Sequence, residues 1–297
     1  MLNRNDLAGK VAVITGAASG FGREFARLAA RLRMKLVLAD VQKDALAATC
    51  AELTAQGAEA VAQPTDVRKG EDVAALAAVT MQHFGAVHLL FNNAGVGAGG
   101  LLWENTLADW EWVLGVNLWG VVHGVRVFTP IMLELMRADP SYAGHIVNTA
   151  SIAGLLSPPG LGVYNVSKHA VVTLSETLFH DLQQVGARIG VSVLCPAFVP
   201  TGIAHSYRNR PPELQNTAPL TPSQRAVQAQ TQKAVESGHL SAEQVAEMTF
   251  TAIAENRFYI VTHPKILSSV AQRLTDITEQ RNPTDPFSHK PEVKPKL

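Results

Sequence analysis

Tyr164 and Lys168 stand four residues apart in Tyr-Asn-Val-Ser-Lys, which puts a phenol and an ammonium on one face of any helix that starts there. A free phenol ionises near ~10, too high for a base at neutral pH, but a neighbouring cation favours the phenolate and lowers that value. The pair is therefore a candidate proton donor and acceptor. Taken alone the spacing is weak, because a tyrosine and a lysine one turn apart usually mark a solvated helix face.

A second constellation lies near the start of the chain. Thr15-Gly-Ala-Ala-Ser-Gly-Phe-Gly22 follows an apolar run and precedes a helical pattern, where a sharp turn lets a pyrophosphate approach main-chain amides. A side chain at Gly16, Gly20 or Gly22 would obstruct the turn, the phosphate or the packing of helix on strand. Asp40 closes the next apolar run, 18 residues beyond Gly22. A carboxylate there accepts hydrogen bonds from an adenosine ribose and repels a 2′-phosphate. Ser19 and Val41 flank this position and bring no cation, so NAD is expected in preference to NADP.

Other chemistries find less support. None of the ten histidines forms HExxH, and His83 and His88 lie five apart, off a shared helical face, so no metal is expected. His169 adjoins Lys168, but no GxSxG elbow accompanies it, which argues against a hydrolase. Cys50 and Cys195 belong to no CxxC pair and read as reduced, unreactive thiols.

Short apolar, β-branched runs predict strands at 10–15, 35–40, 59–63, 87–91, 145–148, 189–194 and 258–261. Between them, helical periodicity runs through Phe25, Leu28 and Leu32, then over 44–53, 71–84, 107–135 and 166–185. This alternation predicts an α/β fold: a Rossmann-type doubly wound parallel sheet of about seven strands with helices on both faces, in three layers. One catalytic domain over residues 1–281 is expected. The pattern loosens over 202–238, a Pro- and Gln-rich stretch predicted to be a substrate lid, in which Thr221-Pro-Ser-Gln224 is a capping box. Ser241-Ala-Glu-Gln244 is a second, with Leu240 and Val245 placed as a hydrophobic staple. Pro283, Pro286, Pro291 and Pro295 punctuate residues 282–297, predicted to be a flexible tail.

Lys plus Arg and Asp plus Glu number 25 each, so no net field draws the chain to nucleic acid or an anionic membrane. The opening residues lack a signal-peptide core, and no uninterrupted apolar run reaches the length of a membrane span. A cytoplasmic protein with a small-molecule partner is expected.

With Thr15 to Gly22, Asn92-Asn-Ala-Gly95, Ser151 and Tyr164 to Lys168 in this order, the chain resembles the short-chain dehydrogenase/reductase family over about residues 7–265. Its TGxxxGxG spacing is similar to that of the compact, single-domain branch. The resemblance implies nicotinamide-dependent interconversion of an alcohol and a ketone. It makes Tyr164 the general acid/base and gives Lys168 two tasks, lowering the tyrosine pKa and binding the nicotinamide ribose. Ser151 would hydrogen-bond the reacting oxygen, and Asn117 would hold a water in the proton relay. Along the cofactor it implies Gly16, Ser19, Gly20, Phe21 and Gly22, then Asp40 and Val41, with Asp66 and Val67 at the adenine. Asn93, Ala94 and Gly95 would border it beside the central sheet, and Pro196, Val199 and Thr201 would address the nicotinamide. A dimer or tetramer built through the long helices near 110–128 and 166–185 is also implied.

One departure stands out: Pro196-Ala-Phe-Val-Pro-Thr201 carries Ala197 where the family usually has glycine. Alanine takes positive φ less freely, so an altered loop and substrate fit are expected. Residues 96–103, 155–161 and Phe198 onward are expected to border the substrate. Leu101, Leu102, Trp103, Leu156, Leu161 and Phe198 make that border apolar, which suggests a bulky hydrophobic or aromatic secondary alcohol. Two rival readings stay open: an NADP-dependent ketone reductase, and a noncatalytic NAD-binding sensor or scaffold that needs the glycine cradle but not Asn117, Ser151, Tyr164 and Lys168 together.

Overall fold

The computed structural model describes residue 2 and residues 4–288. Its sheet runs in the order β3-β2-β1-β4-β5-β6-β7. The strands are β1 (Val11–Thr15), β2 (Lys35–Asp40), β3 (Ala60–Pro64), β4 (Leu89–Asn92), β5 (Gly144–Thr149), β6 (Ile189–Cys195) and β7 (Tyr259–Val261). Every neighbouring pair is parallel. The five central strands, β2, β1, β4, β5 and β6, are buried almost throughout and read as largely apolar runs, whereas the edge strands β3 and β7 are only partly covered.

Alternate residues of β1 point to opposite faces. Ala12 and Ile14 join a core with α1 (Gly20–Arg31), α2 (Lys43–Ala55) and α8 (Ala242–Ala254). There Phe91 stacks on Phe25 at 4.8 Å and on Phe250 at 5.6 Å. Val11 and Val13 face α3 (Gly70–Phe84), α5 (Gly120–Ala138) and α6 (Gly162–Gln184) through Leu76, Phe128, Met132 and Leu178. The chain climbs from β1 to β3 in one direction and then returns to place β4 on the other side of β1. That reversal opens a crevice at the carboxyl ends of β1 and β4.

The predicted single helix over 107–135 is instead α4 (Leu107–Leu114), one π turn over Gly115–Trp119, and α5. The widened turn carries Asn117 inward to full burial. Taken whole, Leu107–Ala138 is long and apolar enough to cross a membrane by length and composition. Here its Trp112, Val113, Val121, Phe128 and Met132 are buried in the domain. Helix α6 begins four residues before the predicted start at 166, so Tyr164 lies in its first turn.

The stretch 202–238 forms two 3-10 segments, Gly202–Asn209 and Pro212–Leu214, followed by α7 (Pro222–Glu236). Both capping boxes form, at Thr221 and Ser241, and Leu240 packs on the core that holds Val245. A last helix, α9 (Leu267–Thr278), was not anticipated. The chain then folds back, with the Thr284 amide donating to Asp276 Oδ2 at 2.9 Å. Residues 289–297 of the expected tail, with Pro291 and Pro295, lie outside the described residues.

Helix α5 crosses β4 at Gly124, where a Cβ would collide with the Asn92 side chain. Overpacking of this kind costs about 1–3 kcal/mol, against a helix-propensity gain of up to ~1 kcal/mol. We expect Gly124→Ala to lower the urea midpoint at unchanged slope; an unchanged midpoint would mean that helix and strand part without cost.

Candidate active site

Gly16 (φ 67°) and Gly20 (φ 53°) turn the chain between β1 and α1 in the left-handed region that glycine tolerates. Ser19 precedes α1 without capping it through its side chain, so the first turn keeps the positive potential of a helix start. Gly22 stands behind this surface: a Cβ there would run into the Gly16 carbonyl and the Asn93 side chain. Asn93 in turn ties the ends of β1 and β4 together. Its Nδ2 donates to the Thr15 carbonyl at 2.9 Å, and its amide donates to Thr15 Oγ1 at 2.9 Å.

Asp40 is buried at the end of β2, accepting from the Ala18 amide at 3.0 Å and the Gln42 amide at 2.9 Å. Burial raises its pKa above the usual carboxylate value against the pull of those donors. Asp66 is gripped by the Arg68 guanidinium at 2.6 Å. Main-chain amides at a helix start, a ribose-height carboxylate and a glycine cradle that any Cβ would fill together fit a dinucleotide.

The proton-handling groups come from β5 and α6. Lys168, only 3% exposed, lies one turn beyond Tyr164 with its Nζ 5.7 Å from the phenol ring centre, and donates to the Thr149 carbonyl at 2.9 Å. Ser151 follows the end of β5, close enough to the Tyr164 hydroxyl to pull its pKa downward, and its Oγ donates to the Pro196 carbonyl at 3.3 Å. From the π turn, Asn117 Oδ1 accepts from the Val96 amide at 2.8 Å, while its Nδ2 donates to the Val96 carbonyl at 2.9 Å and Ser167 Oγ at 3.0 Å. Its side chain therefore braces the chain after β4 against α6.

Burial dominates the electrostatics. It pushes the Tyr164 phenol above its ordinary value, opposed by Ser151. It drives the Lys168 ammonium down to about 8. The depression of the phenol expected from the adjacent cation is not what this structure gives: burial raises it instead.

Of the residues expected at the catalytic and cofactor sites, all but Gly22 and Asn117 line one cleft of about 1970 Å³. The substrate end differs from expectation. Leu156, Leu161 and Phe198 line it, but Leu101, Leu102 and Trp103 do not. Trp103 is 79% exposed, and Leu102 covers Gly162 on the outer side. Trp112, Val116, Ile203 and Val227 supply the apolar wall instead. Ala197 keeps a negative φ, since among the described residues the non-glycine positions at positive φ are Arg33, Asn256 and Gln280, so the loop does not need the glycine it lacks.

Sequence reasoning missed the main anchor of the 202–238 stretch. Arg210 pairs with Asp109 at 2.6 Å, their side chains 9% and 4% exposed, and packs 5.1 Å from the Trp112 ring. Burial would raise the Asp109 carboxyl, but Arg210, the Thr106 amide and Asn216 overcome it and hold the group low. A second anchor joins Glu104 to Thr221 and Ser223 at the start of α7. Among the described residues no cluster of three or more His, Cys, Asp or Glu side chains could hold a metal ion.

A family model for short chain dehydrogenases matches residues 10–212. A CLA biosynthesis dehydrogenase/reductase of Lactiplantibacillus plantarum is 36% identical over 280 residues, 94% of this chain and 96% of that protein. A C alpha-dehydrogenase of a Sphingobium species is 31% identical, over 94% of this chain and 89% of its own. Among solved structures, a short chain dehydrogenase/reductase from Burkholderia phymatum in complex with NAD superposes with a TM-score of 0.93 at 60% identity, covering 97% of this chain and 100% of that one.

Lys168 ionises near 8 when folded, against an unfolded value near ~10.4. Above pH 8 the unfolded chain holds the extra proton, so stability rises with pH; below it the burial penalty is complete. We expect the wild type to gain stability relative to Lys168→Met between pH 8 and 10, by at most roughly 3 kcal/mol. Parallel stability curves in denaturant titrations across that range would exclude a titrating, buried ammonium.

Proposed function

This chain belongs to the short chain dehydrogenase family, and from that premise we propose that it uses NAD to interconvert a secondary alcohol and a ketone on a bulky hydrophobic or aromatic substrate. It is an NAD(P)-dependent alcohol dehydrogenase/reductase; the preference for NAD and the substrate class are the proposal. The observation that carries it is the meeting of Ser151, Tyr164 and Lys168 in the same cleft as the glycine turn and Asp40.

The first turn of α1 would hold the diphosphate, Asp40 the adenosine ribose, Asp66 and Val67 the adenine, and Lys168 with Val199 and Thr201 the nicotinamide end. When bound, NAD supplies the acceptor or donor of hydride. Tyr164 Oη gives a proton to the carbonyl oxygen in reduction and takes it from the carbinol in oxidation. Ser151 donates to the same oxygen and stabilises the charge that develops on it. Lys168 keeps a positive charge beneath the phenol, held there by the Thr149 carbonyl. Asn117 is a positioning residue through Val96 and Ser167, and a water in the relay would have to use its main chain or its remaining lone pair.

Because burial raises the phenol's pKa, the deprotonated form that oxidation requires grows with pH, and alcohol oxidation speeds up toward alkaline pH. Trp112, Leu156, Leu161 and Phe198 leave the substrate end largely apolar, which supports a large hydrophobic substituent on the carbinol. The relative from Burkholderia phymatum was solved with NAD, which supports the cofactor.

Tyr164→Phe is expected to bind NADH as the wild type does in a fluorescence titration while losing about 10²-fold or more of its turnover with an aryl secondary alcohol. Near-normal turnover would remove the phenol from the chemistry. Asp40→Asn drops the charge and keeps an oxygen acceptor for only one of the Ala18 and Gln42 amides. It should raise kcat/KM for NADP relative to NAD on the order of ten-fold, and a wild type that already prefers NADP would overturn the reading of Asp40.

A further inference from the structure

The first part of the lid does not stop at the substrate. Thr201 passes over the glycine turn, its Cβ 3.3 Å from where a Cβ on Gly20 would sit. Seven residues later the Arg208 Nε donates to Gln42 Oε1 at 3.3 Å, just beyond β2, and the guanidinium lies close enough to pull the Asp40 carboxyl downward. Its Nη1 donates back to the carbonyls of Gly202 at 3.1 Å and His205 at 2.9 Å, so the same side chain holds the segment arched. Past the turn at Pro211, Glu213 Oε1 accepts from Arg68 Nη2 at 3.4 Å, the guanidinium that grips Asp66 just beyond β3.

One segment therefore touches the glycine turn, the ribose-side wall and the adenine-side wall in succession. Its firm attachments lie elsewhere: the buried Arg210–Asp109 pair on α4, and Ser206 Oγ, which accepts from the Gly97 amide at 3.0 Å. The two bridges over the adenosine half are of another kind. Arg208 is exposed and Glu213 is 64% exposed, and each solvated bridge is individually weak. A segment anchored at its middle by a buried ion pair and fastened over a groove by two weak bridges can open there without coming off the protein.

We propose that residues 202–214 are a strap over the adenosine half of bound NAD, latched by Arg208 on the Gln42 wall and by Glu213 on the Arg68 wall, so that coenzyme leaves only when the strap lifts. This rests on the NAD reading above and assigns Arg208 and Glu213 a part in coenzyme retention rather than in hydride or proton transfer.

The test uses the full chain with Arg208→Ala, Glu213→Gln and the double variant. NADH release is followed by stopped-flow displacement, and ADP-ribose and nicotinamide mononucleotide are titrated separately. Each single change is expected to speed NADH release about two- to five-fold, and the double change about ten-fold. ADP-ribose should weaken in step, while nicotinamide mononucleotide, which has no adenosine, should bind as before. Arg208→Lys, which keeps the charge but loses the fork, should fall between wild type and alanine. Wild-type release of NADH and ADP-ribose from the double variant would overturn the strap, as would equal weakening of both fragments, which would signal general loosening. A wild-type chain that binds neither NADH nor ADP-ribose would instead overturn the coenzyme reading itself, and the strap with it.

Discussion

A buried ammonium is costly to keep, and much of this domain is arranged around one. Lys168 sits inside α6 with a single main-chain acceptor, the Thr149 carbonyl at the end of β5. Burial lowers its affinity for a proton and raises that of the phenol above it. Neither group could hold its place on a surface helix. Asn117 keeps α6 and the chain after β4 in register from the third side, and the Thr15–Asn93 bonds fix where that chain leaves the sheet. Remove the burial, and the pair reverts to the ordinary exposed tyrosine and lysine that its spacing alone suggests.

The cofactor half was legible in the sequence because its requirements are local. Glycines at Gly16, Gly20 and Gly22, and a carboxylate ending a buried strand at Asp40, are dictated by turn geometry and close approach within one β-α-β unit. The central strands were legible for a similar reason, since a strand covered on both faces is largely apolar, even with buried polar residues such as His145, Asn148 and Ser192 in it. The π turn left no such mark: it widens one helical turn without changing composition or interrupting the apolar periodicity, so 107–135 read as a plain helix.

The substrate half was less legible because its contacts are long-range. Asp109 and Arg210 lie far apart in the chain, on α4 and between the two 3-10 segments of the 202–238 stretch, and nothing at either position announces the other. Leu101, Leu102 and Trp103 show the opposite error. Their hydrophobicity suggested a pocket wall, yet the 3-10 turn over Leu102–Glu104 carries the exposed Leu102 and Trp103 outward, and Trp112 on the neighbouring helix takes that role. Apolar character says that a side chain can be buried and not which surface buries it.

The aromatic stack through Phe25, Phe91 and Phe250 bears on how the molecule is made. Phe25 and Phe91 belong to the first third of the polypeptide, but the ring that completes their column arrives on α8, near its end. While the ribosome is still at work, an apolar flank of the nucleotide-binding half has no cover from its own chain, and that exposed flank is what chaperones recognise and what aggregation exploits. Synthesis order thus leaves the earliest-built half of the domain waiting on the last.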